Sequence, residues 1–218
     1  MIIKAKLLPR PIFMAAARLL MWFLKKRFNK MVIHDVPLQN NSSYLLMCNH
    51  LSFWDGFWAC YLAYQAIYPK QKLNGFYFMI LKKQLQKNLW MRYFGGFSIV
   101  PHSKTYIESL SYTAEILSKP GNLVIMFPQG NLESQYVRHI EIKDGICKLL
   151  PMVKGKCQLL WSSNLTEYFE SLKPSVYFHM LDCGNHDDFN FEAFKIKVNQ
   201  HHQQAIKNQF RFTEEPIN

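Results

Sequence analysis

The stretch "NHLSFWD", residues 49–55, sets a histidine and an aspartate five positions apart between two apolar runs. A carboxylate that accepts the proton of one imidazole nitrogen fixes the tautomer. The other nitrogen is then placed to take a proton from a hydroxyl. His50 and Asp55 are therefore a candidate general base and its orienting partner. The same residues have a plainer use, because Ser52 and Asp55 also form a helix-start signature with Ser52 as N-cap. Nor is the spacing rare: "HIEIKD" repeats it at His139 and Asp144, where no strand-to-helix junction is evident.

Position distinguishes the first pair. "YLLMCNH" is an apolar run of strand length and "FWDGFWACYLAYQAIY" has the length of a buried helix, so His50 falls in a strand-to-helix loop. In parallel α/β sheets, active-site groups collect in loops beyond the carboxyl ends of strands. A helix starting near Phe53 puts Asp55 in its first turn, where the helix dipole favours a carboxylate. No G-x-S-x-G elbow accompanies the pair, and no serine or cysteine has neighbours that suggest activation. Direct attack by a substrate hydroxyl is expected rather than a covalent enzyme intermediate.

A second element, "NLVIMFPQGNLES", is another apolar strand running into a turn. Gly130 permits backbone angles and a close ligand approach that other residues resist. Exposed amides of such a turn hold an oxyanion or phosphate; a plain turn would need no ligand.

The elements that must position these residues are legible as alternating patterns. Strand-like runs recur at "GFYFMI", "GFSIVP", "CQLLWSS" and "SVYFHML", while "LKKQLQKNLWMRYF" and "SKTYIESLSYTAEILSK" read as amphipathic helices. The alternation predicts one α/β domain with a largely parallel sheet flanked by helices on both faces. The 218 residues suffice for one core, and 49% hydrophobic with 15% aromatic content excludes a disordered chain. From "CGNHDDFNF" onward the chain is polar and weakly periodic. The predicted organisation is an N-terminal interfacial segment over residues 1–36, a main domain over 37–200 and a polar tail over 201–218.

The five cysteines, Cys48, Cys60, Cys147, Cys157 and Cys183, are odd in number, scattered and never spaced as CxxC. That argues against a disulfide framework or zinc site and fits a reducing compartment. The histidines of "GNHDDF" and "NQHHQQ" sit in polar settings typical of exposed surface, and no metal role is assigned to them. A net charge of +11 points to a polyanion, either nucleic acid or acidic membrane headgroups. "PIFMAAARLLMWFLKKRFNK" favours the membrane. Its apolar run carries Arg18, ends in Lys25, Lys26 and Arg27, and falls short of the about 20 clean apolar residues a span needs. A helix lying in the interface is expected, with packing against the core as the alternative. No small-residue cleavage site follows, so a removable signal peptide is not expected. Dispersed lysines and the lack of a recognition motif argue against nucleic acid.

Taken in order, "NHLSFWD", "GGFSIVPHS", "FPQGNLES" and "EIKDG" resemble the motif blocks of the glycerolipid acyltransferase family of the lysophosphatidate acyltransferase type. In that family an N-H-x-x-x-x-D block precedes an F-P-E-G-T-R block. The resemblance covers about residues 44–182. It implies His50 as general base, Asp55 as orienting partner and Asn49 as a supporting residue. Phe127, Pro128, Gln129 and Gly130 would form the acceptor-side block. The donor would be acyl-coenzyme A or acyl carrier protein, the acceptor a lysolipid or related lipid alcohol, with no metal or further cofactor, at the cytoplasmic face of a membrane.

The departures carry information. Gln129 stands where the family usually has glutamate, Leu132 where it has the motif arginine, and His102 where the glycine-rich block ends in arginine. A guanidinium binds phosphate through a bidentate fork that leucine or neutral histidine does not reproduce. Arg138, His139, Lys104 or Lys82 are the candidate substitutes. A lysophosphatidate, an aminolipid, a glycolipid or another long-chain alcohol stay open as acceptors, as does an inactive lipid-binding relative of the same fold.

Overall fold

A computed structural model describes residues 1–101 and 103–209. Helix α1 (Arg10–Arg27) is followed by strands β1 (Met31–His34) and β2 (Ser43–Cys48), then α2 (Asp55–Leu62). Next come β3 (Gly75–Leu81), α3 (Lys82–Lys87), β4 (Gly96–Ile99), α4 (Tyr106–Leu117) and β5 (Asn122–Met126). The chain continues through α5 (Gly145–Leu149), β6 (Cys157–Glu167), β7 (Ser175–Asn185) and α6 (Phe191–Lys207). The strands form one sheet in the order β1-β7-β6-β2-β5-β3-β4. Every pairing is parallel except β6 with β7. The predicted α/β domain with a largely parallel, two-sided sheet is what forms.

Both faces of the sheet are covered because the central strands are apolar on both sides. Along β2, Leu46 and Cys48 join a core with Leu24 and Phe28 at the end of α1 and Trp58 and Leu62 of α2. Leu45 and Met47 point the other way, into a core with Leu110 of α4, Leu149 of α5 and Val198 of α6. Strands β2 and β5 are neighbours, with Met47 opposite Met126. Their carboxyl ends therefore finish side by side, and the loop after each strand begins at the same edge of the sheet.

Three local features differ from expectation. The helix expected from Phe53 starts at Asp55 and passes into a π-helical turn over Ala63–Ile67. The helix expected across "LKKQLQKNLWMRYF" breaks at Asn88, whose side chain donates to the Gln84 carbonyl, and resumes as a 3-10 turn over Leu89–Phe94. Strand β1 was not anticipated, since four residues are too few for a period to show.

The polar C-terminal region holds a 17-residue helix, and the boundary expected at residue 200 falls inside it. Asn190 caps α6 by accepting the Ala193 N–H at 2.9 Å. Its inner face includes buried Asn199 and His202, which hid the helical pattern. Asn199 accepts from the Ile140 N–H and donates to the Ile140 carbonyl, while His202 bridges Ser163 and Val137. His202 is therefore buried, against the expectation of exposed surface for this histidine, because both ring nitrogens find protein partners.

Helix α1 packs one side of itself against the core and leaves apolar residues of the other exposed. Met21 and Leu24 pack into the core, whereas Ile12, Leu19, Trp22 and Phe23 remain exposed. Among the described residues no helix is long and apolar enough to cross a membrane.

Candidate active site

His50 leaves the end of β2, and four hydrogen bonds fix its loop before the side chain is considered. The Asn49 side chain donates to the Asn164 carbonyl at 3.0 Å and accepts the Asn164 N–H at 2.7 Å, clamping the loop to β6. The His50 N–H donates to Gln129 Oε1 at 2.7 Å. The His50 carbonyl accepts from the Glu133 N–H at 2.8 Å. The loops after β2 and β5 are thus tied to one another. Asn49 and Gln129 are buried behind the imidazole, and neither is part of the wall of the large apolar cavity described below. Both amide atoms of Asn49, and the Oε1 of Gln129, are occupied by backbone partners.

Asp55 is fully buried and accepts four hydrogen bonds. Its Oδ2 takes the Leu51 N–H at 2.6 Å, the Ser52 N–H at 2.8 Å and His50 Nδ1 at 2.6 Å; its Oδ1 takes Ser52 Oγ at 3.1 Å. An oxygen that already receives two backbone donors is an acceptor towards the imidazole as well, so Nδ1 carries the proton and Nε2 the lone pair. One carboxylate serves both contacts: Asp55 accepts the Ser52 N–H near the helix start and holds the His50 ring. Ser52 Oγ accepts from the Trp54 N–H, one residue short of the expected cap.

The imidazole stacks on Phe127, with ring centroids 4.6 Å apart and planes at 25°. Gly130 follows in a turn whose N–H donates to the Phe127 carbonyl at 3.1 Å, with φ at +73°. A side chain at Gly130 would meet Lys143 Nζ at 2.9 Å, so the glycine leaves the space that this lysine occupies. Pro128 accepts from the Lys143 N–H at 3.0 Å, which fastens the "EIKDG" segment beside the turn.

His50, Phe127, Pro128 and Gly130 line one end of a cavity of about 1490 Å³. This exceeds the roughly 300–1,000 Å³ typical of small-molecule pockets and suits a long apolar chain. Phe13 and Leu20 of α1, Phe57, Phe76, Phe78 and Phe94 supply much of the wall. Its cationic members are Arg10, Lys143 and Lys148. Lys148 also sits 3.4 Å from Asp144.

Other expectations distribute as follows. Leu132 is exposed and lines the cavity. Arg138, His139 and Lys104 are exposed and outside the cavity wall; Lys82, also outside it, is half-buried and donates to the Met1 carbonyl at 3.0 Å. His102 lies outside the described residues. The cations that do face the cavity were missed, although Lys143 belongs to the "EIKDG" segment: sequence separation from Gly130 hides a contact that only the fold creates. "HIEIKD" does precede a helix, since Asp144 is followed by α5.

No cysteine is prepared as a nucleophile. Burial, reinforced by the Asp55 charge, pushes the Cys48 thiol well above its ordinary range. Cys60, in the cavity wall, is pushed up to about 12 by burial. A thiol attacks as thiolate, which these sites disfavour.

A 1-acyl-sn-glycerol-3-phosphate acyltransferase of Streptococcus pneumoniae is 27% identical over 139 residues, covering 62% of this chain and 47% of the relative. The chain therefore matches about half the length of that curated relative. The crystal structure of the 1-acyl-sn-glycerophosphate acyltransferase PlsC from Thermotoga maritima superposes with a TM-score of 0.59 at 16% identity, covering 91% of this chain and 80% of that one, and shares the fold. The family model described as Acyltransferase matches residues 30–159, more than half of the chain and both tied loops, so this protein belongs to the Acyltransferase family.

Proposed function

We propose that this protein transfers a fatty acyl group from a thioester, on coenzyme A or acyl carrier protein, to the hydroxyl of a lysolipid. The observation that carries the reading is the 2.6 Å contact of His50 Nδ1 with buried Asp55 at the end of a large apolar cavity. The acceptor hydroxyl gives its proton to His50 Nε2 as its oxygen attacks the thioester carbonyl. The tetrahedral intermediate collapses with cleavage of the C–S bond, and the imidazolium returns the proton to the leaving thiolate. Asp55 holds the ring and stabilises its cationic form between the two steps. General-base action of this kind contributes roughly a hundred- to ten-thousand-fold.

Lys143, beside Gly130, and Lys148 are cations of the cavity wall, and they supply countercharge for an anionic acceptor headgroup in place of the arginine replaced by Leu132. A lysine offers a point charge rather than a fork, so recognition of the phosphate is looser than with arginine. Helix α1 rests in the membrane interface and brings the cavity to lipid substrates.

The test is acyl transfer from labelled acyl-coenzyme A and acyl carrier protein to lysophospholipids and non-phosphorylated lipid alcohols, dispersed in detergent. Product with wild type and its loss in His50→Ala supports the reaction. No product across the panel from folded protein favours the lipid-binding relative without activity.

A further inference from the structure

Two apolar edges frame the mouth of the cavity. One belongs to α1, where Leu19, Trp22 and Phe23 line the cavity and yet are 65%, 55% and 45% exposed. The other is the stretch Leu81–Phe94, the α3 helix and its 3-10 extension. There Leu81 and Trp90 line the cavity at 44% and 56% exposure, and Leu89 stands beside them at 51%. The edges are joined: the Lys6 and Leu8 N–H groups donate to the Arg92 and Tyr93 carbonyls at 2.9 and 3.0 Å, and Phe13 packs 6.4 Å from Phe94.

Charge identifies what covers this surface. Helix α1 carries Arg10, Arg18, Lys25, Lys26 and Arg27, and the second edge carries Lys82, Lys83, Lys87 and Arg92; neither contains an aspartate or glutamate. Protein interfaces are depleted of lysine. Exposed tryptophan and leucine flanked by unbalanced cations instead match the interfacial zone of an anionic bilayer, where indole rings sit at headgroup level. Lys26 already lies 4.1 Å over the Trp22 ring, an aromatic and cation pair suited to that zone.

We propose that Leu81–Phe94 is a second membrane anchor, which with α1 seats the mouth of the cavity directly on an anionic bilayer. An apolar chain then passes from lipid to cavity without crossing water. This goes beyond the proposed function, which assigns attachment to α1 alone.

The test is sedimentation of the full chain with phosphatidylcholine vesicles, with and without phosphatidylglycerol. Leu89→Glu, and separately Lys83→Glu with Lys87→Glu, avoid the cavity wall; Leu172→Glu alters a fully exposed leucine between β6 and β7. Leu89→Glu and the double charge reversal weaken binding to anionic vesicles about tenfold, while Leu172→Glu binds as wild type. Brominated lipids quench wild-type fluorescence more than that of Trp90→Phe. Wild-type binding by both edge variants, with no quenching assignable to Trp90, overturns the second anchor. Transfer to a short-chain acceptor dissolved as monomers is retained in Leu89→Glu, which separates loss of docking from loss of the reaction.

Discussion

Gln129 Oε1 receives the backbone N–H of His50 at 2.7 Å, so the residue that departs from the family's glutamate holds the loop that carries His50. An amide oxygen accepts this bond as a carboxylate would. Gln129→Glu keeps the acceptor and is expected to retain activity. Gln129→Leu leaves a part-buried donor unpaired at a cost of about 1–3 kcal/mol. It is also expected to lower kcat, measured beside urea unfolding, because the imidazole rides on that loop.

Asp55→Asn preserves shape but lacks an acceptor for all four donors it now serves. Its amide nitrogen would face either His50 Nδ1 and two backbone N–H groups or Ser52 Oγ. The first placement favours the wrong tautomer. A fall in kcat of roughly a hundred- to ten-thousand-fold is expected, with circular dichroism showing a folded protein.

The clamp between Asn49 and Asn164 predicts loss of stability as well as rate. Asn49→Ala orphans the Asn164 N–H and carbonyl in the interior, each worth about 1–3 kcal/mol. Chemical denaturation is expected to shift accordingly, and Asn49→Asp, which keeps the acceptor but sets a buried carboxylate oxygen against the Asn164 carbonyl, also to destabilise.

Gly130→Ala tests the turn beside Lys143. At φ +73° an alanine costs about 1–2 kcal/mol, and its methyl group must displace the Lys143 ammonium. The expected readout is a KM for an anionic acceptor raised more than that for a neutral one.

Stability against pH should report the histidines around His179, of which His179 and His202 are buried. Burial, then the charges of His34, His201 and His202, lower His179 to about 4, and His34 stacks on it at 4.5 Å. His202 is also lowered by burial. With the folded value below the ordinary 6.5, the unfolded chain takes up the proton first. Stability is therefore complete above about 6.5 and falls as pH drops towards 4. For His179 the loss amounts to roughly 2–3 kcal/mol across that window. Urea unfolding at several pH values measures the slope, which His179→Phe should flatten.

The paired loops were legible in the sequence because each combines an apolar strand with a chemically distinctive turn, and the alternation around them specified a parallel α/β sheet. Local sequence also placed a helix start in this loop, although the helix begins at Asp55 after Trp54 rather than from a Ser52 cap. What the fold alone decided acts over long separations. The adjacency of β2 and β5 brings His50 onto Phe127 and Gln129, and the clamp joins Asn49 to Asn164 on a third strand. Helix α6 escaped a periodicity reading because Asn199 and His202 are buried through hydrogen bonds rather than apolar character. Lys143 became a cavity residue only when the Pro128 carbonyl captured its backbone. Spacing along the chain encodes contacts within a turn or a loop. Contacts between loops depend on strand order and register, which emerge when both faces of the sheet are buried together.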